Sequence, residues 1–107
     1  MDIIKTEKEF KDFTLEKGIR LAYLSTTTCC ACTALKPKIE KFIEKYPNCK
    51  LKEVKSEESL NIVSQLGIFM FPAIILYIDG KEVLREAKYI SVLELEKTID
   101  RYFSLYN

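Results

Sequence analysis

The run Ile19-Arg20-Leu21-Ala22-Tyr23-Leu24-Ser25-Thr26-Thr27-Thr28-Cys29-Cys30-Ala31-Cys32 carries a mostly apolar segment straight into a cluster of thiols. Ile19 to Ser25 is bounded by polar residues on both sides, as a buried strand of a parallel sheet would be. Beyond the cysteines, Leu35, Ile39, Phe42, Ile43 and Tyr46 recur at helical spacing, with Lys36, Lys38, Glu40, Lys41, Glu44 and Lys45 on the other side. The spacing predicts a helix from Cys30 to Tyr46, kinked at Pro37 and closed by Pro47-Asn48. A strand that feeds a helix through Cys-x-x-Cys sets the first sulfur where the unpaired N–H groups of the first turn converge. Those groups and the helix dipole favour thiolate over thiol, which marks Cys29 as the nucleophile. Cys32 follows one helical turn later, where Cβ atoms lie about 5–6 Å apart before local adjustment, near enough to close a disulfide. Cys32 is therefore read as the resolving thiol.

Cys30 adds two competing pairings. Adjacent residues have Cα atoms about 3.8 Å apart, below the usual disulfide minimum of about 4.4 Å, so a Cys29–Cys30 bond is strained. Cys30 and Cys32 stand two apart on a helix and point away from each other. Geometry favours Cys29 with Cys32. Cys49 stands alone before a strand and reads as a small, inert, partly buried residue.

Working outward, Ile3-Ile4 is a short strand, and Thr6-Glu7-Lys8-Glu9 forms a capping box. Phe10 and Phe13 then begin a first helix that ends before Gly18. Lys50 to Lys55 reads as a strand, and Ser59 to Leu66 as a short helix stopped by Gly67. Ala73 to Ile78 and Glu82 to about Glu86 flank Asp79-Gly80, a strong hairpin signal. Ser91 and Glu94 open a last helix whose buried face is Val92, Leu95, Ile99, Tyr102 and Tyr106. The order β-α-β-α-β-α-β-β-α describes an α/β protein: right-handed parallel crossovers, then an antiparallel hairpin, giving a central mixed sheet flanked by helices. At 107 residues, 48% of them hydrophobic, the chain suits a single domain over 1–107 with one core.

Composition narrows the chemistry. Lys and Arg number 17 against 16 Asp and Glu, so charge points neither to nucleic acid nor to a membrane surface. The amino-terminal residues lack a basic leader and an apolar run, and no stretch approaches the roughly 20 apolar residues of a membrane span, so a cytoplasmic protein is expected. Three of the four cysteines fall within four positions, which no stapling pattern needs, so catalysis or metal binding is the better expectation. Histidine is absent, which removes Cys-His and Ser-His nucleophile schemes and imidazole zinc sites. A rival reading has Cys29, Cys30 and Cys32 holding Cu(I), zinc or an iron–sulfur cluster, but no fourth ligand stands nearby.

Leu21-Ala22-Tyr23-Leu24, Cys29-x-x-Cys32, Pro37, Gly67-Ile68-x-x-Phe71-Pro72 and Leu76-Tyr77-x-Asp79-Gly80 together resemble the thioredoxin family over nearly the whole chain. The resemblance implies a thioredoxin fold and a monomeric thiol-disulfide oxidoreductase without an organic cofactor. It would exchange disulfides with protein clients and take electrons from a separate thioredoxin-reductase-like donor. By the same resemblance Cys29 is the attacking cysteine, Cys32 the buried resolving one, Pro37 the kinking proline and Pro72 the cis-proline facing the disulfide. The departures are specific. Thr28, Cys30 and Ala31 replace the family's Trp and Gly-Pro, and Tyr23 stands where the family has a buried Asp. Glu53 falls opposite the family's buried Lys and is a candidate replacement acid or base, although a Glu in a Lys-rich strand is ordinarily solvated. Lys88 replaces a flat glycine and with Tyr89 and Phe71 makes a bulkier rim, so Thr28, Phe71, Lys88 and Tyr89 are the expected client-binding residues. Phe69, Met70 and Phe71 either form an apolar docking surface or in part cap the core, two readings of equal weight. A redox-inactive adaptor is a third reading, disfavoured by intact Cys29, Cys32 and Pro72.

Overall fold

Ile19–Ser25 (β2) is buried along its entire length because it forms the middle of a five-stranded sheet in the computed structural model, which describes residues 1–106 without the Tyr106 side chain. The other elements are β1 (Asp2–Ile4), α1 (Glu7–Leu15), α2 (Cys30–Ile43), β3 (Cys49–Lys55), α3 (Leu60–Leu66), β4 (Ala73–Ile78), β5 (Lys81–Ala87) and α4 (Val92–Tyr106). Spatial order is β1-β3-β2-β4-β5. β3 pairs in parallel with both β1 and β2, while β4 runs antiparallel to β2 and to β5. The sheet is therefore mixed, as the element order predicts.

Alternation along the strands divides the core into two layers. Ala22, Leu24, Val54 and Ile75 face α1 and α3, where they meet Phe10, Phe13, Ile62 and Val63. Leu21, Tyr23, Ile74 and Leu76 face α2 and α4, where they meet Ile39, Phe42, Leu95 and Ile99. Local signals hold the helix ends: Thr6 Oγ1 accepts the Glu9 N–H at 3.1 Å, Ser91 Oγ accepts the Glu94 N–H at 3.1 Å, and Gly67 takes the left-handed conformation at φ 71°. Asp79 and Gly80 both have positive φ, the hairpin geometry that their pairing anticipates.

Some strand ends differ from expectation by a residue, with Cys49 inside β3 rather than before it, and one helix end differs by more. α2 ends at Ile43, short of Tyr46, and the chain turns through Tyr46 N–H to Ile43 O at 2.9 Å and Cys49 N–H to Tyr46 O at 2.8 Å. Tyr46 keeps the apolar spacing because its ring remains in the core, with its hydroxyl on Asp100 Oδ1 at 2.6 Å. Periodicity follows burial, and burial here outlasts the helix. Of the last helix's expected face, Leu95 and Ile99 are fully buried, Val92 and Tyr102 pack partly buried against the same cluster, and the Tyr106 side chain lies outside the described residues.

Leu95 locks α4 onto the sheet. Leu95→Ala should therefore lower unfolding free energy by about 2–5 kcal/mol in urea titration, and a loss under ~1 kcal/mol would contradict the packing described.

Candidate active site

The loop Thr26–Thr28 leaves β2 and delivers Cys29 to the N-cap of α2. Cys29 has extended backbone angles, its N–H reaches Thr26 O at 3.3 Å, and its Sγ accepts the Cys32 N–H at 3.1 Å. A sulfur in the place usually held by a capping oxygen meets a first-turn donor that the helix itself cannot satisfy. Cys29 is half-buried, Cys30 exposed and Cys32 buried at 3% exposure, and all are unpaired thiols. Burial pushes the Cys32 thiol up to about 12, helped by its contact with Cys29 and the nearby charges of Cys29 and Glu53, against the lowering effect of the Thr26 backbone. Among the described residues, no three metal-ligating side chains converge.

Behind Cys32 the sheet contributes Tyr23 and Glu53, which are direct partners in the β2–β3 register. The Tyr23 hydroxyl donates to Cys32 O at 2.5 Å, and burial, then the charges of Cys32, Glu53 and Cys29, hold its phenol above the ordinary range. Tyr23 is thus a proton-retaining anchor for the first turn of α2. Glu53 is not solvated, contrary to the ordinary expectation for its strand: it is 3% exposed. Its side chain lies on the α2 face of the sheet, where Ser25 Oγ donates to Oε2 at 2.7 Å and Lys36 Nζ stands 2.9 Å from Oε1. The lysine contact has ion-pair distance without hydrogen-bond alignment, which leaves Oε1 without a directed donor. Glu53, Ser25, Lys36 and Cys32 line one cleft of about 350 Å³. Ser25 and Lys36 were not evident as site residues. Lys36 was within reach of sequence reasoning, since it lies four residues after Cys32 and so on the same helix face.

The opposite side of the dithiol is built differently. The Phe71–Pro72 peptide is cis, and Pro72 is buried beside a groove of about 310 Å³ lined also by Ala31, Leu35, Lys38, Lys88 and Tyr89. The Lys88 N–H donates to Pro72 O at 2.7 Å, and its Nζ lies 5.3 Å from the Tyr89 ring centroid. Lys88 has φ 71°, a left-handed conformation costing a lysine on the order of 1 kcal/mol that glycine would avoid. Of the expected client-binding residues, Lys88 and Tyr89 line this groove. Thr28 sits exposed on the loop before Cys29, and Phe71 packs half-buried against the α1/α3 core. Phe69 and Met70 are exposed beside it. Cys49 is buried in the α2/α4 layer, away from the other thiols, and burial raises it to about 12.

A dithiol at a helix N-terminus, a cis-proline beside the groove next to it and a mixed sheet between helical layers together define a thioredoxin fold. The chain belongs to the thioredoxin family, whose model, described as Thioredoxin, matches residues 2–101. It is 28% identical over 96 residues to thioredoxin-like protein YdfQ of Bacillus subtilis, covering 90% of this chain and 86% of that protein. It is 30% identical over 84 residues to Saccharomyces cerevisiae thioredoxin-2, covering 77% and 80%. A mutant thioredoxin from Halobacterium salinarum superimposes with a TM-score of 0.83 at 22% identity over 94% of this chain and 88% of that one. Plasmodium falciparum thioredoxin does so at 0.84 and 18%, over 95% and 99%. At such identities the structural likeness speaks for the fold. No helix among the described residues is long and apolar enough to cross a membrane.

Cys32 and Cys49, from an ordinary 9.0, and Tyr77, from 10.0, are each held up near 12, chiefly by burial. Groups whose folded value is raised stabilise the fold fully below their unfolded values and lose that contribution as pH climbs through the folded ones. The denaturant midpoint should therefore hold between about pH 7 and 8.5 and fall progressively from about pH 9 towards 12; a flat midpoint to about pH 11 would contradict this.

Proposed function

We propose that the chain works as one monomeric domain that exchanges disulfides with protein clients through Cys29 and Cys32. The observation carrying this reading is the Cys29 sulfur at the α2 N-cap, 3.1 Å from the Cys32 N–H, with the Cys32 thiol buried behind it. Cys29 thiolate attacks one sulfur of the client disulfide; the client S–S bond breaks, a mixed S–S bond forms and the first client thiolate departs to take a proton. Cys32 then gives up its proton and attacks Cys29 Sγ, releasing the second client thiolate. The client gains two electrons, and the Cys29/Cys32 pair loses two. A separate thioredoxin-reductase-like donor returns them, in keeping with a reducing cytoplasm.

The second step needs a proton acceptor, because Cys32 is a neutral thiol held near 12. Tyr23 does not serve, since its hydroxyl already donates to Cys32 O. Glu53 faces the same cleft as Cys32, carries an oxygen without a directed donor, and has room beside it for water to bridge. We assign it the proton-accepting role, with Ser25 and Lys36 orienting its carboxylate.

Cys32→Ser should accumulate a mixed disulfide between Cys29 and a disulfide-bearing protein, visible by non-reducing electrophoresis, whereas Cys29→Ser should form none. Cys30→Ser should retain exchange, and the midpoint potentials of the wild type and this variant should agree. A value near about −270 mV would mark a reductant and one near about −120 mV an oxidant. Loss of exchange on Cys30→Ser would overturn the two-cysteine mechanism.

Glu53→Gln should slow resolution of the mixed disulfide by about tenfold or more near pH 7. The deficit should shrink as pH rises, because hydroxide then removes the Cys32 proton. An unchanged rate profile from about pH 6 to 9, measured in stopped flow, would remove Glu53 from the mechanism.

A further inference from the structure

The two sides of the dithiol differ in charge. The cleft behind Cys32 is lined by Glu40, Glu53 and Glu57, along with Lys36 and Lys55. The groove beside Ala31 and Pro72 has Lys38 and Lys88 in its lining and no carboxylate. Neither lysine takes part in an ion pair among the described residues. Glu86, two residues before Lys88, is engaged elsewhere, its Oε1 accepting the Ser91 N–H at 2.8 Å.

Lys88 is also placed with care. Its backbone is fixed next to the cis-proline by the 2.7 Å bond to Pro72 O, and its ammonium lies against the Tyr89 ring. A lysine persists in a left-handed conformation that glycine would occupy without strain, so the side chain rather than the backbone is what this position supplies. Lys38 stands one turn beyond Leu35 on the same helix face, at the far end of the groove.

We propose that this groove selects extended client segments carrying Asp or Glu next to the reactive disulfide. The inference rests on the exchange reading above and adds the substrate class: the occupant is an acidic stretch of a client protein, its carboxylates set between Lys38 and Lys88 and its apolar side chains on Ala31, Leu35 and Tyr89. Two exposed ion pairs, each worth up to about fivefold, act together here, and salt screens them.

The test uses the reduced full chain and three otherwise identical peptides, each with one intramolecular disulfide flanked by two Glu, two Gln or two Lys. Single-turnover oxidation is followed with each, and with uncharged bis(2-hydroxyethyl) disulfide. The Glu peptide should react about fivefold or more faster than the Lys peptide. That ratio should shrink between low salt and about 0.5 M salt and collapse towards one in Lys38→Gln/Lys88→Gln. Lys88→Gly, which relieves the left-handed strain, should lose discrimination while its melting temperature holds or rises. Equal rates for the three peptides in a protein that reacts with the uncharged disulfide overturn the acidic-client inference alone. A preference that survives in the double variant overturns its assignment to this groove. Failure with the uncharged disulfide as well overturns the exchange reading itself.

Discussion

The site hangs on the bond from the Tyr23 hydroxyl to the carbonyl oxygen of Cys32. Tyr23 lies on the central strand, fully buried, and its ring fills the α2 face of the sheet. By reaching into the first turn of α2, it fixes that turn over the sheet and holds the second thiol where water has little access. The high value of Cys32 follows from this burial. The exposure difference between the two sulfurs, one half-buried and one buried, thus goes with a contact made by a residue several positions upstream of either.

Tyr23 in this position moves the charged chemistry elsewhere. A phenol that donates its proton to a carbonyl is unavailable as a base, and the neighbouring strand brings in the carboxylate of Glu53. A buried carboxylate is costly unless it is hydrogen-bonded and paired. Ser25 from β2 bonds one oxygen and Lys36 from α2 pairs with the charge, so the same contacts also tie β2, β3 and α2 together beneath the dithiol. Lys36 is only partly exposed, at 37%, so its ammonium reaches a buried partner while keeping contact with solvent. Packing and charge pairing are coupled at this one carboxylate.

Where each residue's signal was local, sequence reading reached it. β2 and β4 were legible to the residue because buried central strands are short apolar runs with sharp polar boundaries. Caps at Thr6, Ser91 and Gly67, and the Asp79-Gly80 turn, work within four residues and were equally plain. The end of α2 was not, because Tyr46 contributes to the core from a turn and keeps the helical rhythm. Cys29, Cys32 and Pro72 stood out by motif, whereas the burial of Glu53 depends on strand register and on a lysine arriving from another element. In composition that strand looks solvated, with lysines at 50, 52 and 55. The pairing of Glu53 with Tyr23, on the face shared with Cys49 and Leu51, shows that it faces inward.

Lys88 shows the same limit from the other direction. Local preference at a left-handed position favours glycine, and agreement between local preference and fold is what a foldable sequence normally displays. Here the two disagree, next to the proline that borders the dithiol. The strain is small against the stability of a domain, so the fold tolerates it without rearrangement. Its effect is to exchange a bare backbone for a cation at the mouth of a groove whose other cation, Lys38, comes from the helix bearing Cys32. The acidic cleft and the basic groove therefore lie on opposite sides of one helical turn. The two sides of the dithiol thus have separate electrostatic settings, although only two residues separate Cys29 from Cys32.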